Sequence, residues 1–398
     1  MRVSTNTLFD SNVAALNRQQ AQLLHTQQQI ASGRKLLSPS DDPVAATRAL
    51  DITQSDAMNS QYASNRNAAR HTLSMTEGAL QSVTSLLQDV RTAIIGAGNG
   101  TLSQSDRLTI ASGLDGRLQE LTGLANSTDG IGNFLFAGFQ SRIQPFVETS
   151  SGMAYFGDDG QRLAQVSATR QIDSSNSGAD IFMRVKNGNG TFATQAAASN
   201  TGSGIISLGS VSNPALLSGN SYTIAFSVSG GITSYDVTDT TTASVVSSGN
   251  PYTSGQAISF AGMQIEISGA PLSGDTFTVA PSTNISVFKT LADLIAALNT
   301  PPVGTSLTNN LSRGLNNLDN ALNTVLTTRS SLGLRLNEID ALQSAGEDLG
   351  LQFKQTLSQL QDVDYNKAIS DLTQQQMTLQ AAQQTFSKVA KLTLFDYL

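Results

Sequence analysis

TLFDSNVAALNRQQAQLLHTQQQIASGRKLL, Thr7 to Leu37, places an apolar residue at every seventh position: Phe9, Leu16, Leu23, Ile30 and Leu37. Near the other end YNKAISDLTQQQMTLQAAQQTF, Tyr365 to Phe386, does the same with Tyr365, Leu372, Leu379 and Phe386. Four residues further on in each repeat, the second seam position holds Gln20 and Gln27 in the first segment and Gln376 and Gln383 in the last. A seven-residue repeat marks helices that wind about partner helices. A narrow stripe with glutamine in half its seam cannot close a core of its own. These nine residues are therefore the predicted assembly interface. The two ends are expected to pack against each other and against copies of themselves, and to be disordered in the monomer, because isolated helices are marginal in water.

Working inward, Leu36 to Pro43 reads LLSPSDDP, with Pro39 breaking the first helix and Asp42–Pro43 starting the next. The pair supplies an N-cap side chain followed by a proline at the first helical position. The second helix should run from Pro43 to about Ile95, a rod of roughly 80 Å at 1.5 Å per residue. Its later half carries Leu73, Thr76, Leu80, Val83, Leu87, Val90 and Ile94, spaced alternately three and four. GAGNG, Gly96 to Gly100, ends it, and a third helix follows with Ala111, Leu114, Leu118, Leu121 and Ala125 in the same register. Far downstream Leu311, Leu315, Leu318, Leu322, Val325, Leu332, Leu336 and Ile339 form another such stripe, whose one charged seam residue is Arg329.

Between these helices the composition changes to Ser, Thr, Gly and Asn. Tyr222, Ile224, Phe226 and Val228 alternate with small or polar residues, and Gly230–Gly231 turns the chain into Ile232 to Thr238, a β-hairpin signature. Met263, Ile265 and Ile267 alternate likewise, as do Phe277 and Val279, and VFKTLADLIAAL, Val287 to Leu298, is a short amphipathic helix returning the chain to the rod. The fold class is α+β: a long antiparallel helical bundle or coiled-coil rod built from both chain halves, with an inserted Ser/Thr/Gly-rich β domain. The expected divisions are an N-terminal assembly helix and linker (1–42), the rod's first part (43–139), the β insert (140–284), the rod's second part (285–348) and a C-terminal assembly helix (349–398).

Bulk composition excludes several functions. The net charge of -7 disfavours binding to nucleic acid or an anionic membrane. The absence of Cys removes disulfides and thiolate chemistry. No apolar run reaches the roughly 18 residues of a membrane span, and no secretory signal is expected at the start. His25 and His71, the two histidines, both fall in predicted helices, and no serine has a plausible histidine partner. Asp158–Asp159 in GDDG reads as a turn. No catalytic residue, metal ligand or cofactor site is assigned.

SGRKLLSPSDDPVAA, Ser32 to Ala46, and DYNKAISDLTQQQMTLQAAQQT, Asp364 to Thr385, resemble the two end motifs of the flagellin superfamily. Within it NFLFAGFQSRIQPF (Asn133 to Phe146), GDDGQRLAQVSATRQID with GADIF (inside Phe156 to Phe182) and the closing LTLFDYL (Leu392 to Leu398) resemble the hook–filament junction family, the FlgL type, hook-associated protein 3. The resemblance implies an extracellular structural part of the bacterial flagellum, exported by the flagellar type III route. It implies a homo-oligomeric ring whose terminal helices form coaxial tubes. The implied partners are the first hook–filament junction protein, flagellin, and an export chaperone at the C-terminal region. A minor flagellin is the alternative. A carbohydrate-binding or enzymatic insert is a weaker one, because Tyr222, Phe226, Tyr235, Tyr252, Phe260 and Phe277 read as sheet core.

Overall fold

A computed structural model describes residues 5–302 and 304–391. Six α-helices are present among them: α1 (Thr5–Ser32), α2 (Pro43–Ala97), α3 (Gln104–Ala125), α4 (Val287–Asn299), α5 (Ser306–Gln361) and α6 (Tyr365–Lys391). The chain divides into two compact units, Met1–Ser64 with Ala341–Leu398, and Asn65–Asp340. The boundaries between these units fall inside α2 and α5. Residue 349 lies within α5, and the break before α6 comes at Asp362–Asp364.

The second unit holds the large core. Leu73, Thr76, Leu80, Val83, Leu87, Val90 and Ile94 of α2 are all buried, as the alternating three–four spacing requires. So are Leu311, Leu318, Leu322, Val325, Leu332 and Ile339 of α5, with Leu315 and Leu336 half-buried. The two helices run antiparallel, since Arg70 meets Asp340 at 3.4 Å while Arg91 meets Asp319 at 2.7 Å. Arg329 is neutralised between them by Glu77 at 2.8 Å. α3 begins with a capping box, Ser103 Oγ accepting from the Asp106 amide at 3.2 Å and Asp106 Oδ2 from the Ser103 amide at 3.0 Å. α3 packs on α4, which buries Val287, Phe288, Leu291, Leu294 and Leu298. Gly314 of α5 admits Leu294, whose Cγ would stand 2.7 Å from a Cβ placed there. Gly314→Val is therefore expected to cost about 1–3 kcal/mol of stability, read as a lowered thermal midpoint.

The strands between 140 and 284 form separate groups. Two hairpins, Phe146–Thr149 with Gly152–Tyr155 and Leu163–Ser167 with Arg170–Asp173, belong with the helices. Phe146 and Phe182 share an aromatic cluster with Phe136 and with Phe288 of α4, at centroid distances of 5.3–6.0 Å. Arg66 of α2, only 2% exposed, donates to the Val166 carbonyl at 2.8 Å. The outer β domain begins after Lys186. Its five-stranded sheet runs Ser244–Pro251, Ile232–Asp239, Tyr222–Ser229, Thr276–Pro281, Phe192–Ala196 in order. A second sheet, Ala257–Phe260 with Met263–Ser268 and short strands at Ile205–Ile206 and Ser210–Val211, packs on it. Tyr222, Ile224, Phe226, Phe260, Ile265, Ile267, Phe277 and Val279 form the core between them, with Tyr235 and Tyr252 against its edge. Gly230 and Gly231 turn the hairpin at φ +59° and +79°. Val228 departs from the expected alternation: it is 39% exposed, because it lies in the hairpin's solvent-facing tip.

Asparagines of α5 fix this domain to the helices. Asn309 Nδ2 donates to the Gly204 carbonyl at 3.0 Å and its Oδ1 accepts from the Ile206 amide at 3.0 Å. Asn320 donates to the Lys186 and Gly188 carbonyls at 2.8 Å, Asn316 also donates to Gly188, and Asn317 accepts from the Gly188 amide at 3.3 Å.

Candidate functional site

The first unit is built on α1 and α6, which pack antiparallel. Phe9, early in α1, packs against Phe386, late in α6, with the rings tilted and their centroids 5.2 Å apart. At the opposite end the backbones bond directly, the Lys35 amide to the Gln361 carbonyl at 2.6 Å and the Val363 amide to the Gly33 carbonyl at 3.0 Å. In the structure the two ends are helical and paired with each other. Each stripe supplies the other with the apolar surface an isolated helix lacks.

The nine stripe residues are unequally covered. Leu16, Leu23, Ile30, Leu372, Leu379 and Phe386 are half-buried. Phe9 is 51% and Tyr365 53% exposed. Leu37 lies outside the helix altogether. α1 ends at Ser32, ahead of Pro39, because Gly33 adopts a left-handed φ of +70°, which glycine takes without strain. Gly33 also seats Tyr365, whose hydroxyl would lie 3.1 Å from a Cβ at that position.

The loop from Leu36 to Asp42 is held by two carboxylates. Asp41 Oδ2 accepts from the Leu37 and Ser38 amides, each at 2.9 Å, and Oδ1 from the Ser38 hydroxyl at 3.0 Å. The Ser38 amide, then the Leu37 amide, lowers the Asp41 carboxyl from 3.8 to about 2, so it stays ionised at ordinary pH. His25 Nε2 stands 3.3 Å from it. Asp42 Oδ1 caps α2, accepting from the Val44 and Ala45 amides at 3.1 and 3.0 Å, with Pro43 as the helix's first residue. Further along, α2 and α5 meet where Asn59 donates to the Gly346 carbonyl at 2.7 Å. His71 is exposed on α2 in the other unit. Asp158 likewise closes its turn, accepting from the Phe139 and Gly160 amides at 2.9 and 2.8 Å, while Asp159 pairs with Arg184 at 2.7 Å.

What distinguishes the first unit is how little it buries. Among its described side chains only Thr26, Ala49 and Ala368 are buried. Leu24, Val44, Leu50, Met58, Leu351, Ile369 and Met377 are 48–75% exposed. None of these lies on the seven-residue stripes. The glutamines in the seam were the sequence signal that apolar contact had to be sought elsewhere. Among the described residues no helix is long and apolar enough to cross a membrane, and no acidic or histidine cluster has metal-ligand form. Leu392 to Leu398 lie outside the described residues.

A unit so thinly buried should open locally well before the other one. Trypsin is expected to cut the free chain first at Arg18, Arg34, Lys35, Arg48, Lys354, Lys367 and Lys388, leaving a resistant Asn65–Asp340 core. Gel and mass analysis of a time course checks this, and equal protection of sites in both units would contradict it.

The family model of the bacterial flagellin N-terminal helical region matches residues 3–141, and that of the flagellin C-terminal helical region matches residues 315–398. The flagellar hook-associated protein 3 of Salmonella typhimurium is 30% identical over 401 residues, covering 100% of this chain and 99% of its own. The crystal structure of the flagellar junction protein FlgL from Legionella pneumophila is 32% identical, with a TM-score of 0.72, over 79% of this chain and 100% of that one. The phase 1 flagellin of Salmonella naestved is 31% identical over 126 residues, which is 32% of this chain and 25% of that flagellin. Similarity to flagellin is thus confined to part of the chain, whereas similarity to the hook-associated protein runs end to end.

Proposed function

The chain belongs to the flagellar hook-associated protein 3 family, the hook–filament junction proteins, and on that premise we propose that its paired ends are the surface through which it joins its neighbours in the flagellum. The observation that carries this reading is the first unit's lack of any buried side chain larger than threonine among its described residues, beside a set of exposed Leu, Ile, Val and Met. A neighbouring subunit that covered these would complete the core the single chain lacks. Each large side chain so covered contributes about 1.5–3 kcal/mol.

In this reading copies of the chain form a ring. Their α1–α6 pairs line up coaxially with those of the first junction protein on one side and flagellin on the other. The chain leaves the cell by the flagellar export route, with a chaperone holding the C-terminal region beforehand. Its role is mechanical joining, with no catalytic step. The second unit, whose core is complete, stands as the rigid body that carries the joint and presents the outer β domain.

The test is a strain lacking the chain. Electron microscopy is expected to show hooks without filaments, with flagellin in the medium, and the full chain supplied in trans should restore both filaments and swimming. Normal numbers of attached filaments in the deletion strain would overturn the assignment.

A further inference from the structure

A groove in the first unit lies where the loop after α1 meets the start of α2 and the end of α5. Leu36, Leu37, Pro39, Ala49 and Leu50 line it, together with Arg34. Its volume is about 240 Å³. That is below the roughly 300–1,000 Å³ of small-molecule sites and suits apolar side chains from another chain. Leu50 is 68% exposed and Leu37 36%, so the walls are uncovered in the single chain.

We infer that this groove receives the segment LTLFDYL, Leu392 to Leu398, of a second copy. Five of its seven residues are Leu, Phe or Tyr, and its one charge, Asp396, complements Arg34. The segment of the same chain cannot be the occupant. α6 leaves the groove beside Gln361 and runs through the 27 residues Tyr365–Lys391, a rise of about 40 Å at 1.5 Å per residue. Seven residues fully extended span at most about 25 Å. The tail of one copy therefore enters the groove of the next, a head-to-tail contact of the kind that links copies into a ring when the rotation between them closes. The apolar side chains sit between Leu37 and Leu50, and the Asp396–Arg34 pair sets the direction of the segment.

This inference rests on the reading of the chain ends as an assembly surface, and the test separates the two. A labelled, N-acetylated LTLFDYL peptide titrated into the full chain is followed by fluorescence anisotropy. Saturable binding is expected, weakened at least tenfold by Leu50→Asp, which alters a solvent-facing side chain and leaves the fold intact. Arg34→Glu should weaken it similarly, and a peptide carrying Asp396→Arg should recover binding to that variant. No saturable binding, or equal binding to wild type and Leu50→Asp, overturns the groove assignment. If the peptide ignores the groove while Leu23→Asp still blocks filament attachment, the groove alone is wrong. If Leu23→Asp assembles normally, the wider reading fails with it.

Discussion

Leu23→Asp and Ile30→Asp leave the second unit folded and abolish filament attachment. Both side chains are half-buried in the first unit, on the stripe that α1 turns toward α6. A carboxylate there loses water and gains no partner, at a cost on the order of several kcal/mol at each site. The cost recurs in every copy of the joint, so a modest defect per chain becomes a large one in the assembly. The core around Leu80, Leu87 and Val325 lies in the other unit and shares no residue with the stripe. Its thermal transition should be unchanged. Filaments per cell should fall to near zero, with flagellin released into the medium. Leu372→Asp and Leu379→Asp should give the same attachment defect once the secreted amount of each variant is measured. Wild-type swimming in all four strains would rule out these stripes as assembly contacts.

Phe182→Ala is expected to give the largest loss of stability. Phe182 is fully buried, edge-on to Phe136 and Phe146 at 5.4 Å, and 6.0 Å from Phe288. Removing the ring takes away aromatic contact on three sides and leaves a cavity between the hairpins and α4. Closely packed aromatic sites of this kind lose about 3–5 kcal/mol on truncation to alanine. The cluster spans four segments distant in sequence, so the surroundings have little freedom to collapse into the void. Denaturant unfolding should show a lower midpoint for the second unit, while α1–α6 pairing, probed by the trypsin sites at Arg18 and Lys367, should be unaffected. A midpoint within experimental error of wild type would show that the hairpins are not held through this cluster.

The helices were the most legible part of the chain. The seam from Leu73 to Ile94 could be read because a long buried stripe must follow the helical period, and every residue of it is buried. Leu37 shows the limit of the same argument. Its seven-residue spacing continues the stripe arithmetically, but Gly33 has already ended the helix, and spacing carries no information about backbone direction. The exposed set around Leu24, Ile369 and Met377 escaped notice for a related reason: it follows no single repeat. The Phe136–Phe146–Phe182–Phe288 cluster was not legible either, since its members come together only through tertiary packing. The α5 asparagines were invisible as ties because their partners are main-chain groups, which leave no mark on the sequence at the other end.

Those ties have a consequence for how the protein can change over generations. Asn309, Asn316, Asn317 and Asn320 grip carbonyls and amides of residues 186–188 and 204–206, not their side chains. Main-chain atoms are the same whatever residue carries them. Apart from Gly188, whose φ of +60° restricts it, Gly204, where a Cβ would stand 2.7 Å from the Phe277 ring, and Ile206, which is buried in the β domain's core, the domain can exchange the residues at its base without loosening its mount. Its solvent face, free of Lys and Arg from residue 187 to 288, can drift further still. Substitutions can accumulate across this face while the four asparagines keep each new version in the same orientation on α5.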